Sequence, residues 1–150
     1  MKIAIGCDEA AYRLKKIIIE HLGKRNDIEL KDFGAEENQT VLYPDVAKVV
    51  AEAVASGEFE RGILVCGTGI GMAITANKVN GIRAAVCHDP FSAERARKSN
   101  DAQIMCMGER VIGTELAKYL VDVWLKSEFS GGGSQPKVDR IREIECANMK

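Results

Sequence analysis

Five times along this chain a short apolar run gives way to a segment with helical spacing. That alternation restricts the fold more than any other feature. Strands are predicted over Lys2–Gly6, Ile28–Phe33, Gly62–Cys66, Gly81–Cys87 and Gln103–Met107. After the first, Leu14, Ile17, Ile18 and Leu22 share one helical face, with Lys15, Lys16 and Glu20 turned away from it. Pro44 opens a second helix that reaches about Ser56, with Gly57 as its stop. Met72–Lys78 reads as a third helix and Pro90–Lys98 as a fourth, broken by Ser99-Asn100-Asp101. Gly113 opens a fifth, whose buried stripe is Leu116, Leu120, Val123 and Trp124. Short strands separated by helices pair in parallel, because each helix carries the chain back to the edge it left. The class is therefore α/β, with a sheet covered on both faces.

At 150 residues the chain makes one domain. Residues 1–130 form the α/β body. Residues 131–150, part of the same domain, hold the flexible joint Gly131-Gly132-Gly133-Ser134 and a charged helix from Pro136 to about Cys146. A net charge of −1 gives no electrostatic reason to expect nucleic acid or an anionic membrane as partner. No apolar run approaches the roughly 20 residues that cross a bilayer, and the N-terminus reads as a strand. Five cysteines without a Cys-x-x-Cys pair argue against a disulfide framework and point to a reducing compartment, the cytoplasm.

In such sheets ligands lie beyond the carboxyl ends of the strands. Those ends carry Cys7-Asp8-Glu9, Cys66-Gly67-Thr68, Cys87-His88-Asp89 and the loop around Gly108-Glu109-Arg110. The densest of them is Cys66-Gly67-Thr68-Gly69-Ile70-Gly71, a glycine-rich turn between a strand and a helix. Backbone N–H groups there converge on one spot, which suits an anion or an oxygen that becomes one. It is not a dinucleotide fingerprint, because the position for the last glycine is Met72. Cys66 at its lip can act as base or nucleophile, and Thr68 adds a hydroxyl.

Asp8 and Glu9 offer carboxylates for sugar hydroxyls, and Asp8 also suits a helix cap. His88 is the rim histidine suited to proton transfer, whereas His21 is expected to be solvated. Arg110, Lys137, Arg140 and Arg142 are candidates for phosphate contacts. Cys106 and Cys146 are expected to be small buried hydrophobes. Cys7, Cys66, Cys87 and His88 lack a local ligand spacing, so no metal is expected.

Ile5-Gly6-Cys7-Asp8, Asp32-Phe33-Gly34, Tyr43-Pro44-Asp45, the Cys66–Gly71 turn, Ala76-Asn77-Lys78, Gly81-Ile82-Arg83-Ala84, Ser99-Asn100-Asp101-Ala102 and Gly108–Gly113 stand in one order along the chain. In that order the sequence resembles the ribose-5-phosphate isomerase B family, which includes galactose-6-phosphate isomerase. The resemblance covers nearly the whole chain. It implies a three-layer α/β/α sandwich, Rossmann-like, with a five-stranded parallel sheet in the order 2-1-3-5-4. It implies no cofactor and no metal, a phosphorylated sugar as substrate, and a homodimer or tetramer with active sites between subunits. It further implies aldose–ketose interconversion through a cis-enediolate. Cys66 resembles the base and Thr68 the residue that shuttles a proton between the two oxygens. Gly67, Gly69 and Gly71 resemble the oxyanion cradle. Asp8, Tyr43 and Asn100 resemble sugar contacts, Asn100 from the neighbouring subunit.

Four positions depart from the family pattern. Glu9 and Ser99 stand where the family usually has histidines, the second of which opens the furanose ring. Gly133 and Lys137 stand where it usually has phosphate-binding arginines, and lysine lacks the bidentate fork. A four-carbon sugar carrying its phosphate on the terminal oxygen has no hydroxyl able to close a stable ring. An isomerase of erythrose or erythrulose 4-phosphate is therefore the alternative to a ribose 5-phosphate enzyme, with His88 as the other replacement for the missing histidine. Two rivals come from other classes: a non-catalytic sugar-phosphate sensor, and an enzyme using Cys66 as a covalent nucleophile with His88 as its base.

Overall fold

The computed structural model describes residues 1–149. Its parallel sheet comprises β1 (Lys2–Cys7), β2 (Glu29–Asp32), β3 (Arg61–Cys66), β4 (Ala84–Val86) and β5 (Ile104–Gly108). They are ordered β2-β1-β3-β5-β4, as the resemblance implies. The helices are α1 (Tyr12–Leu22), α2 (Tyr43–Ala55), α3 (Ile70–Ala76), α4 (Pro90–Lys98), α5 (Thr114–Lys126) and α6 (Gln135–Asn148). Successive strand residues point to opposite faces, and two cores follow from that alternation. Ile3, Ile5, Cys7, Ile63, Val65, Met105 and Met107 face α1, α4 and α5. Ala4, Leu64, Cys66, Ile104 and Cys106 face α2 and α3. Among the described residues no helix is long and apolar enough to cross a membrane.

Tertiary contacts revise several local expectations. Lys15 is wholly buried, although the helical pattern turns it outward. Its Nζ donates to Asp32 Oδ1 at 2.8 Å and to the Ala35 carbonyl at 2.6 Å, partners that make burial of a cation tolerable. Strand four is shorter than predicted, because Gly81 at φ +85° turns the chain and the Arg83 amide is taken by Gln103 Oε1. Leu116 stays at the surface of α5, and Ala117, Val121 and Leu125 join the stripe instead. His21 is half-buried, 2.8 Å from Asp122 on α5, rather than solvated. Cys146 is exposed, against the expectation of a buried hydrophobe.

The sheet order decides where a ligand can enter. From β1 the chain proceeds outward to β2, then crosses to the other side of β1 to form β3. Helices leaving these neighbouring strands lie on opposite faces, which opens a crevice at their carboxyl ends. Asp8 follows one of those ends and Gly67 the other.

Candidate active site

That crevice is a cleft of ≈ 760 Å³. Asp8 and Glu9 line it from β1, Cys66, Gly67 and Thr68 from β3, Gly71 from α3, Tyr43 from α2 and Arg110 from the loop after β5. Cys66 is only 5% exposed, but it belongs to the cleft lining. The Gly69 N–H donates to Cys66 Sγ at 3.0 Å, and the Ile70 N–H donates to Thr68 Oγ1 at 3.3 Å. Two amides of the turn thus orient the side chains it was expected to serve.

Two glycines here have separate steric reasons. Gly69 adopts φ +78°, and a Cβ on it would lie 2.9 Å from the Met107 backbone. Gly71 makes room for Tyr43, whose ring a Cβ would meet at 2.5 Å. The helix they introduce is α3, whose seven residues begin at Ile70, two positions before the predicted start.

Asp8 takes the capping role foreseen for it and also stands in the cleft lining. Its Oδ1 accepts the Ala10 N–H at 3.0 Å, capping the short turn Glu9–Ala11. Burial raises the Asp8 carboxyl above its ordinary value, the Ala10 amide lowers it, and neighbouring Glu9 raises it. Glu9 Oε2 accepts the Val41 N–H at 3.3 Å, which ties the loop before Tyr43 to the rim. Arg110 is exposed and lies over Gly67, with Nη1 3.3 Å from where a Cβ would stand. A guanidinium above a glycine-rich turn is suited to holding an anion.

Five predicted residues do not line this cleft: Gly69, His88, Ser99, Asn100 and Lys137. His88 Nε2 accepts the Gly108 N–H at 2.9 Å, so its proton lies on Nδ1 and the ring is a neutral brace for the end of β5. Burial holds its pKa below the ordinary histidine value. Ser99 and Asn100 end α4, and Lys137 is exposed on α6. Ile70 and Ile74 do line the cleft, although nothing in the local sequence singled them out.

Cys7 and Cys87 belong to the core on the opposite sheet face from Cys66, so the sheet itself separates the sulfurs of the conceivable metal set. Burial pushes the Cys7 thiol up to about 11 and the Cys87 thiol to about 12, and raises Cys106 well above its ordinary value. A second cleft of ≈ 550 Å³ on the outer side of α1 is lined by Tyr12, Arg13, Lys16 and Glu37 and contains no cysteine.

Residues 3–141 match the model of the Ribose/Galactose Isomerase family. The chain is 62% identical to the "Ribose-5-P isomerase B" of Listeria innocua, over 99% of both chains. It is 54% identical to the "D-erythrulose-4-phosphate isomerase" of Pectobacterium atrosepticum, over 97% of this chain and 95% of the relative. Its fold superposes on ribose-5-phosphate isomerase B of Clostridium thermocellum with a TM-score of 0.95 at 52% identity, covering 98% and 99% of the two chains.

Proposed function

The chain belongs to the ribose/galactose isomerase family, and we propose that it interconverts an aldose phosphate and its ketose through an enediolate, with Cys66 as the base. That it is a sugar-phosphate isomerase follows from relatives matched over nearly their whole length. The division of labour comes from the cleft. Cys66 Sγ takes the proton from C2 of the aldose and returns it to C1. Thr68 Oγ1 carries the hydroxyl proton from O2 to O1, so the atoms balance without an external oxidant or reductant. Negative charge builds on the oxygens between these steps. Gly69 N–H already serves Sγ and Ile70 N–H serves Thr68, so the oxyanion falls to the amides of Gly67, Thr68 and Gly71. One such donor typically contributes 10²–10³ in rate. Asp8, Glu9 and Tyr43 bind hydroxyls and Arg110 the phosphate.

The observation that carries this reading is Cys66 in the cleft lining, its Sγ held 3.0 Å from the Gly69 amide, with Thr68 beside it. The covalent-nucleophile rival loses its base, since His88 is engaged with Gly108 and absent from the cleft. A sensor would bind without turnover. Incubation with four-, five- and six-carbon aldose phosphates in deuterated water separates the remaining readings. Deuterium incorporation with ketose formation is expected, and binding without exchange would leave only the sensor.

A four-carbon substrate is the second reading within the same chemistry. It is favoured by Glu9 and Ser99, which resemblance places where histidines usually stand, and by the erythrulose-phosphate relative at 54% identity. Fast turnover of ribose 5-phosphate with slow turnover of erythrose 4-phosphate would remove it.

The cleft is completed by a second copy of the chain. Leu42, Ile70 and Ile74 beside it are 72%, 55% and 59% exposed in the single chain, and Asn100 and Lys137 are positioned away from their own cleft. A dimer supplies Asn100 and Lys137 across the interface, and sedimentation checks its mass.

A further inference from the structure

Glu109 lies outside the Cys66 cleft, yet it joins three elements around it. Its backbone N–H donates to the Cys66 carbonyl at 3.0 Å, and the next amide, that of Arg110, donates to the Gly67 carbonyl at 3.1 Å. Its carboxylate reaches the other way. Oε1 accepts from Arg13 Nε at 3.1 Å, and Oε2 accepts the Leu14 N–H at 3.2 Å. Helix α1 starts after Ala11, which supplies no side-chain cap, so Glu109 caps it from 95 residues away. The Glu109 side chain is 17% exposed, while Arg13 on its outer side is 70% exposed.

Peptide planarity turns this brace into a constraint on the reaction. The Cys66 carbonyl shares a rigid plane with the Gly67 N–H, and the Gly67 carbonyl shares one with the Thr68 N–H. Holding the two oxygens against the loop after β5 therefore fixes the direction of two amides to which the oxyanion is assigned. The same loop carries Arg110, whose guanidinium covers Gly67. We propose that Glu109 is a positioning residue: by anchoring the loop after β5 to the start of α1, it sets the aim of the Gly67 and Thr68 amides and the placement of Arg110. The proposal rests on the isomerase reading for its consequence in catalysis, but the brace itself can be read without turnover.

The test compares wild type, Glu109→Ala, Glu109→Gln and Arg13→Gln in full-length protein. Each is assayed for kcat and KM on the best aldose phosphate, for Tm, and for the rate at which iodoacetamide modifies Cys66, followed by peptide mass spectrometry. Misaim of about 1 Å can cost up to about 10²-fold. Glu109→Ala is expected to lower kcat/KM about tenfold, with kcat falling and KM rising. Glu109→Gln keeps an acceptor for Leu14 and should lose about threefold. The loosened turn should alkylate at Cys66 at least about threefold faster in Glu109→Ala. If Glu109→Ala lowers Tm but leaves kcat, KM and the Cys66 rate within about twofold of wild type, Glu109 is only a helix cap and the proposal is overturned. If Glu109→Ala fails to fold, Glu109→Gln and Arg13→Gln decide, unchanged kinetics and alkylation in both counting against the brace. If wild type isomerises no sugar phosphate, the isomerase reading falls, while the alkylation rates still decide whether Glu109 holds the turn.

Discussion

The turn after β3, where we place the chemistry, and the helix α6, which carries Lys137, are held in opposite ways. Within the turn, sulfur and hydroxyl each receive a backbone amide, and the loop after β5 holds the carbonyls of Cys66 and Gly67. On α6, Val138 is the single buried residue, while Ile141 and Ile144 are 44% and 50% exposed. Glu145 Oε1 accepts the Gly81 N–H at 2.9 Å and ties the helix to the body. Proton transfer demands sub-ångström placement of reacting atoms, and neighbours in sequence on a tight turn give it. A phosphate grip tolerates a longer lever, since a point charge acts over several ångströms.

If that contrast is right, substitutions in the turn damage kcat and those on α6 damage KM. Cys66→Ala should cut kcat by about 10³ or more with little change in KM, because the base acts in the transition state. A steady-state assay on the preferred sugar phosphate measures this, and residual kcat within tenfold of wild type would place the base elsewhere. Gly71→Ala comes next. Its methyl group would displace the Tyr43 ring, and kcat/KM should fall about 10²-fold while the circular dichroism spectrum stays native. Lys137→Ala should raise KM about tenfold, a loss of about 1.4 kcal/mol, with kcat within twofold. An equal fall in kcat would show that the tail also takes part in chemistry and would erase the contrast.

The smallest effect concerns stability. His88 accepts the Gly108 amide only when neutral, and burial lowers its pKa in the fold. A group with a depressed folded pKa and a neutral native form contributes stability above its unfolded value of about 6.5 and loses it as pH falls through the folded value. His88→Ala should therefore cost about 1 kcal/mol at pH 7.5, by urea titration, and the gap to wild type should narrow towards pH 5. A gap that widens on acidification would mean that protonated His88 finds a partner in the fold.

Much of the architecture could be read from periodicity, because a strand or helix face is a local pattern. The Cys66–Gly71 site was readable for the same reason: strand end, glycines, thiol and hydroxyl are contiguous. Lys15 was misjudged, since the helical pattern carries no sign of Asp32 and the Ala35 carbonyl, 17 and 20 residues away, which satisfy its charge. The strain-free reason for Gly71 was equally hidden, as it is the Tyr43 ring on another helix. His88 looked like a rim acid–base group because its strand ends at the rim, but the Gly108 amide on the neighbouring strand claims its nitrogen.

The amino-acid order by itself determined the α/β class and put a thiol, a hydroxyl and three glycines on one turn, because both arise from residues within a few positions of one another. Family resemblance added the strand order that the structure bears out. Folding decided the rest: which carboxylate braces the cradle, which histidine is occupied, and which lysine is buried. Each of those outcomes depends on a hydrogen-bond partner brought from far along the chain, and a polar group's behaviour is set by the partner it finds.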